Sequence, residues 1–173
     1  MHASTIAAWN APGAHGRHSC RAGAIGGHAP SPADAGVVHA IRRVIHAQSE
    51  AIRRKDADAV MACNAPHMRT FGIVAPLPRC DPATVRERLE HWFAAFSGPL
   101  GCEAGEPDIS AAGDTACARF LQRFSGTNAS GMPVDLRVRV TMGLQRIGDR
   151  WLVAHEHLSD PLDPPPAPAC RPA

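Results

Sequence analysis

Apolar residues in the first half of this chain recur every three or four positions; in the second half they recur every second position. Val37, Val38, Ile41, Val44, Ile45 and Ile52 share one side of a helix, with Arg42, Arg43 and Glu50 on the other. Ser31-Pro32-Ala33-Asp34 opens that helix: a serine cap, a proline at the first position, an acid in the first turn. His39 and His46 fall at its boundary or surface. Lys55-Asp56-Ala57-Asp58 restarts a short helix that carries Ala59, Val60 and Met61 and ends near Asn64-Ala65-Pro66. A short strand is expected from Met68 to Val74, broken by Pro76 and Pro78. Asp81-Pro82 caps a third helix, from Thr84 to about Phe96, which buries Val85, Leu89, Trp92, Phe93 and Phe96 before Gly98-Pro99 stops it.

Beyond that point the period becomes two. Residues 102–109, 115–124, 134–147 and 151–159 read as strands separated by Ala112-Gly113-Asp114, by Gly126 to Gly131 and by Gly148-Asp149. Helices on one side of an antiparallel meander make an α+β domain. The expected domain spans 34–164. Residues 1–33 are expected to be a disordered extension, rich in Ala, Gly and His, and 165–173 a disordered proline-rich tail.

The last hairpin predicts directions. Gly148-Asp149 has the chemistry of a two-residue turn with glycine first, so Ile147 faces Arg150. An unbroken ladder then pairs Leu144 with Val153, Met142 with His155, Val140 with His157 and Val138 with Ser159. On this register His155, His157 and Ser159 share the apolar, helix-facing side with Trp151. Glu156 joins Arg139 and Thr141 in a polar cluster on the outer face, a surface suited to a homodimer. A single extra residue in the ladder would reverse the assignment.

Charge narrows the field little. The chain has 173 residues, 18 basic and 16 acidic side chains and a net charge of +2, too balanced to call for nucleic acid or a membrane surface. Its six cysteines, Cys20, Cys63, Cys80, Cys102, Cys117 and Cys170, form no Cys-x-x-Cys pair and read as buried free thiols of a cytoplasmic protein. No apolar run approaches the ~20 residues of a membrane span.

Four segments together resemble a known family: Lys-Asp-Ala-Asp-Ala-Val…Ala-Pro at 55–66, Trp-Phe…Gly-Pro at 92–99, Arg-Val-Thr at 139–141, and Gly-Asp-Arg-Trp-Leu-Val-Ala-His-Glu-His-Leu-Ser-Asp-Pro at 148–161. They look like the SnoaL-like proteins, ketosteroid-isomerase homologues of the nuclear-transport-factor-2-like superfamily. The resemblance implies a cystatin-like cone, a curved antiparallel sheet wrapped around about three N-terminal helices, with a deep apolar pocket and commonly a dimer. It leaves the activity open among isomerases, cyclases, dehydratases, hydrolases and proteins that only bind. The steroid isomerase works with an aspartate base and an oxyanion hole made of a tyrosine and a protonated aspartic acid. This chain has no tyrosine, so that set does not transfer. Asp58, at a helix end and solvated, and Asp135, on the Arg137–Arg139 face, are not placed as bases.

Three readings of the chemistry follow. In the first, His155 and His157 act as general acid and base on a small apolar carbonyl compound, with Trp92, Phe93, Phe71, Trp151, Val140, Met142 and Ser159 lining the pocket and no cofactor. In the second, the same pocket only binds a ligand or supports dimerisation. In the third, His155-x-His157 holds zinc or iron with His67 or His91 as a further ligand.

Overall fold

The computed structural model describes residues 32–72 and 82–160. The proposed serine cap at 31, the Asp81 cap, Pro76, Pro78, Cys20, Cys80, Cys170 and both tails lie outside the described residues. Helix α1 runs Pro32–Arg53 and α2 Ala57–Ala62. Between them Lys55 takes a left-handed conformation (φ 54), and its ammonium donates to the Phe96 carbonyl at 2.6 Å. Asp56 caps α2 by accepting from the Ala59 amide at 2.9 Å. Strand β1 is Asn64–Phe71, helix α3 Pro82–Ala94, and five further strands follow: β2 Phe96–Ala104, β3 Asp108–Ala112, β4 Thr115–Asn128, β5 Pro133–Ile147 and β6 Arg150–Ser159.

The strand order is β1-β6-β5-β4-β2, with β3 also on β4. The long β4 carries β2 along its last half and β3 along its first. The expected strand 102–109 is therefore two, because Gly105-Glu106-Pro107 interrupts it; Pro107 has no amide hydrogen for a ladder. The third helix stops at Ala94 rather than Phe96. Phe96 opens β2, and Gly98 (φ 78) bends that strand instead of ending the segment. β1 starts at Asn64, four residues before the expected Met68, and pairs parallel to β6 in an otherwise antiparallel sheet.

One face of the sheet closes over the helices. Ile41, Ile45 and Ile52 of α1 meet Leu100, Cys102, Phe120, Phe124, Val138, Val140, Met142 and Val153, all buried. Trp92 and Phe93 of α3 stack beside Phe96 and Phe124, with Trp92 5.2 Å from the Phe124 ring. Burial of these side chains, each worth roughly 1.5–3 kcal/mol, dominates the stability of the domain. Among the described residues no helix is long and apolar enough to cross a membrane.

Candidate functional site

The hairpin turn is as expected: Gly148 is left-handed (φ 60), Ile147 pairs with Arg150 and Leu144 with Val153. The ladder then shifts. Gly143 pairs with His155, so Ala154 is an extra residue, a β-bulge. Beyond it every direction is the reverse of the unbroken reading. Met142 pairs with Glu156, Thr141 with His157, Val140 with Leu158 and Arg139 with Ser159.

This corrects the sequence reading at its centre. His157 is exposed, and His155, half-buried, lies on the outer face with its Nδ1 3.1 Å from the Arg69 carbonyl oxygen. Phe71, 40% exposed, sits edge-on to both rings at 5.2 and 5.9 Å, so it covers histidines outside the sheet rather than lining an interior. Ser159 goes outward with Arg139. Thr141 and Arg139 are exposed on the outer face, as expected, but Glu156 leaves that cluster for the inner one. Val140, Met142, Trp151 and Phe93 are buried, and Trp92 is half-buried against Phe124. His67 is exposed and 3.1 Å from the Gln145 side chain, and His91 is exposed on α3. Among the described residues no three His, Cys, Asp or Glu side chains gather to hold a metal ion. Asp58 is exposed and ion-paired to Arg86 at 2.6 Å; Asp135 is exposed and held in two contacts by Arg123.

What the inner face gathers instead is a band of polar side chains that periodicity does not reveal. Gln48 and Ser49 come from α1, Cys102 from β2, Gln122 from β4 and Glu156 from β6. Gln48 Nε2 donates to Glu156 Oε1 at 3.4 Å. Gln122 Nε2 donates to Cys102 Sγ at 2.7 Å, and the Ser49 hydroxyl also bonds that thiol. Arg53 is held outside the band by the Glu50 carboxylate and by the Cys102 carbonyl, to which it donates at 2.6 Å. Gln48, Ser49 and Gln122 are the buried polar residues of the described core.

Desolvation acts on this band. Taking the Glu156 carboxylate out of water raises its pKa to about 7, against which the Gln48 hydrogen bond is a smaller, lowering influence. Burial also raises the Cys102 thiol, partly opposed by Gln122 and Ser49, so the thiol stays protonated at neutral pH. The arrangement thus offers one carboxyl that exchanges its proton near neutrality, set among apolar walls and amide and hydroxyl groups.

Residues 41–163 match the family model of the SnoaL-like domain. No curated protein matches the chain. Among solved structures, an NTF2-like protein of unknown function from Pseudomonas putida KT2440 is 28% identical with a TM-score of 0.66, covering 75% of this chain and 89% of its own. A nuclear transport factor 2 (NTF2-like) superfamily protein from Salmonella enterica serovar Typhimurium is 17% identical (TM-score 0.67, 77% and 96% covered). A protein of unknown function with a cystatin-like fold from Nostoc punctiforme is 11% identical (TM-score 0.58, 74% and 91% covered). The family match, the helices under one face of a curved open sheet and the shared cystatin-like architecture agree, and the chain belongs to the SnoaL-like domain family of the NTF2-like superfamily.

Proposed function

We propose that this protein binds a small, largely apolar carbonyl compound on the inner face of its sheet and moves a proton next to the carbonyl, with Glu156 as the general acid–base. One observation carries the reading: beyond the bulge the ladder turns Glu156, half-buried, onto the inner face, where Gln48 donates to it and desolvation raises its pKa to about 7, a value that suits proton transfer at neutral pH. Isomerisation, dehydration or cyclisation all begin with such a step. In this reading His155 and His157, on the outer face, take no part in the proton transfer. That face, where Leu121 is 59% exposed, is proposed as the homodimer surface, to be checked by sedimentation equilibrium.

The test is hydrogen–deuterium exchange at the α-carbon of cyclohexanone, followed by NMR. The base form does the work, so the exchange rate should rise with pH through about 7 and level off above it. Glu156→Gln should reduce it to the rate in buffer, whereas His155→Gln and His157→Gln should not. Equal exchange by wild type and Glu156→Gln would remove the catalytic role. Retained binding of cyclohexanone in that event would favour a protein that only holds its ligand.

A further inference from the structure

We infer that the edge of β1 accepts an extended segment of a partner protein in which acidic residues alternate with apolar ones. β1 closes one end of the strand order, and among the described residues it pairs with β6 alone. A paired strand turns every second residue's N–H and C=O toward its neighbour. The others point away from β6 and are left for an added strand. Pro66 and the irregular step before Arg69 blunt the first half of this edge. From Arg69 to Phe71 the ladder is regular, opposite His155, Glu156 and His157, and this is the stretch that an added strand can follow.

Charge and burial set the partner's chemistry. His67, Arg69 and Phe71 are exposed on the outer face of the edge strand, with His155 and His157 beside them on β6. Phe71 rests edge-on against both imidazoles. The outer-face positions of β1 and β6 include no carboxylate. Elsewhere on that face Arg119 is answered by Asp108, and Arg123 by Glu103 and Asp135; Arg69 is answered by none of the described residues. On the inner side Met68 is buried and Thr70 half-buried. The side chains of an added strand alternate in the same way. Those beside Arg69 face outward and meet a cation, so carboxylates suit them; those beside Met68 and Thr70 face inward, so apolar groups suit them. A second copy of β1 fits poorly, because it sets like charges against His67 and Arg69. Nucleic acid supplies anions but no peptide groups for the edge. β2 and β3, at the other end of the sheet, carry Glu103 and Asp108 and lack this basic margin.

Fluorescence anisotropy of the full chain at neutral pH tests this with labelled probes. They are the peptides Glu-Val-Glu-Val-Glu-Val, Gln-Val-Gln-Val-Gln-Val and Lys-Val-Lys-Val-Lys-Val, and a single-stranded oligothymidylate. The acidic peptide should bind with a Kd below about 1 mM and about fivefold more tightly than the neutral one, the worth of one good cross-strand ion pair. That gain should shrink in high salt, and the basic peptide should bind most weakly. Arg69→Glu, a change at an exposed side chain, should reverse the order of the acidic and basic peptides. Where melting shows that this variant does not fold, Arg69→Gln takes its place and should remove the preference for the acidic over the neutral peptide. With the acidic peptide bound, amide hydrogen exchange should slow at residues 68–72 and not along β2 or β3. An unchanged order of peptides in the Arg69 variant, no slowing at residues 68–72, tighter binding by the oligothymidylate than by the acidic peptide, or no binding of the acidic peptide at about 1 mM would each overturn the inference.

Discussion

Replacing Glu156 by glutamine should flatten the stability of the protein between pH 5 and 8. In the folded chain the carboxyl titrates at about 7 rather than at the ordinary 4.5. Below 4.5 the group is protonated in both states and costs nothing. Between the two values the unfolded chain releases a proton that the folded chain keeps, so stability falls as pH rises and levels off above 7. Each pH unit of that interval is worth 1.36 kcal/mol, which sums to about 3 kcal/mol. Nearly all of that loss should be present by pH 8 and about a quarter of it at pH 5. Urea unfolding of wild type and Glu156→Gln at both pH values isolates the effect, because every other ionisable group is common to both proteins and cancels in the comparison. The variant's buried amide has its own cost, but one that does not vary with pH. The wild type should therefore lose about 2.5 kcal/mol more than the variant between pH 5 and 8. Parallel pH dependence of the two proteins would refute the burial of this carboxyl as described.

Gln48→Met removes the hydrogen bond that lowers the Glu156 pKa, so the midpoint of α-proton exchange should move to higher pH; an unmoved midpoint in the NMR assay would mean that the bond is idle. Gly126→Ala would place a methyl 3.1 Å from both the Phe96 ring and the Pro99 carbonyl oxygen. Urea melts should show a loss of about 1–3 kcal/mol, since the backbone must give way there. Asp135→Asn breaks a two-pronged contact with Arg123 at 2.8 and 2.9 Å on the exposed face. The loss should stay within about 1 kcal/mol and shrink in high salt, as thermal melts at two salt concentrations would show.

Elements with a strong period were legible. The stripe of Ile41, Ile45 and Ile52 gave α1, and alternation gave β4, β5 and β6 close to their bounds. The family segments gave the cone. Less legible were elements whose identity depends on distant chain. β1 is a strand because β6 offers it a free edge, and it runs parallel because it reaches that edge from across the fold. Nothing in Asn64–Phe71 encodes that partner. The division of β2 from β3 was signalled by Pro107, but alternation ran through it.

The site was missed for a narrower reason. A strand has a side-chain period of two, so one extra residue inverts everything beyond it. Ala154 is that residue, and its sequence carries no mark of a bulge. Gly143 on the facing strand is a partial one: a Cβ there would meet that of His155 at 3.4 Å, so its absence leaves the shifted strand room. A second signal was independent of register. Gln48 continues the α1 stripe of Ile41, Ile45 and Ile52, and Gln122 continues the β4 alternation of Phe120 and Phe124. A polar residue in the buried place of an apolar stripe requires a partner on the same inner face. Gln48 on the helix needed a polar group from the sheet. In the His155-Glu156-His157 run either the histidines or the glutamate had to face it. An amide donor that must lie within an apolar core matches the carboxyl, and that match points to the inversion the bulge produces.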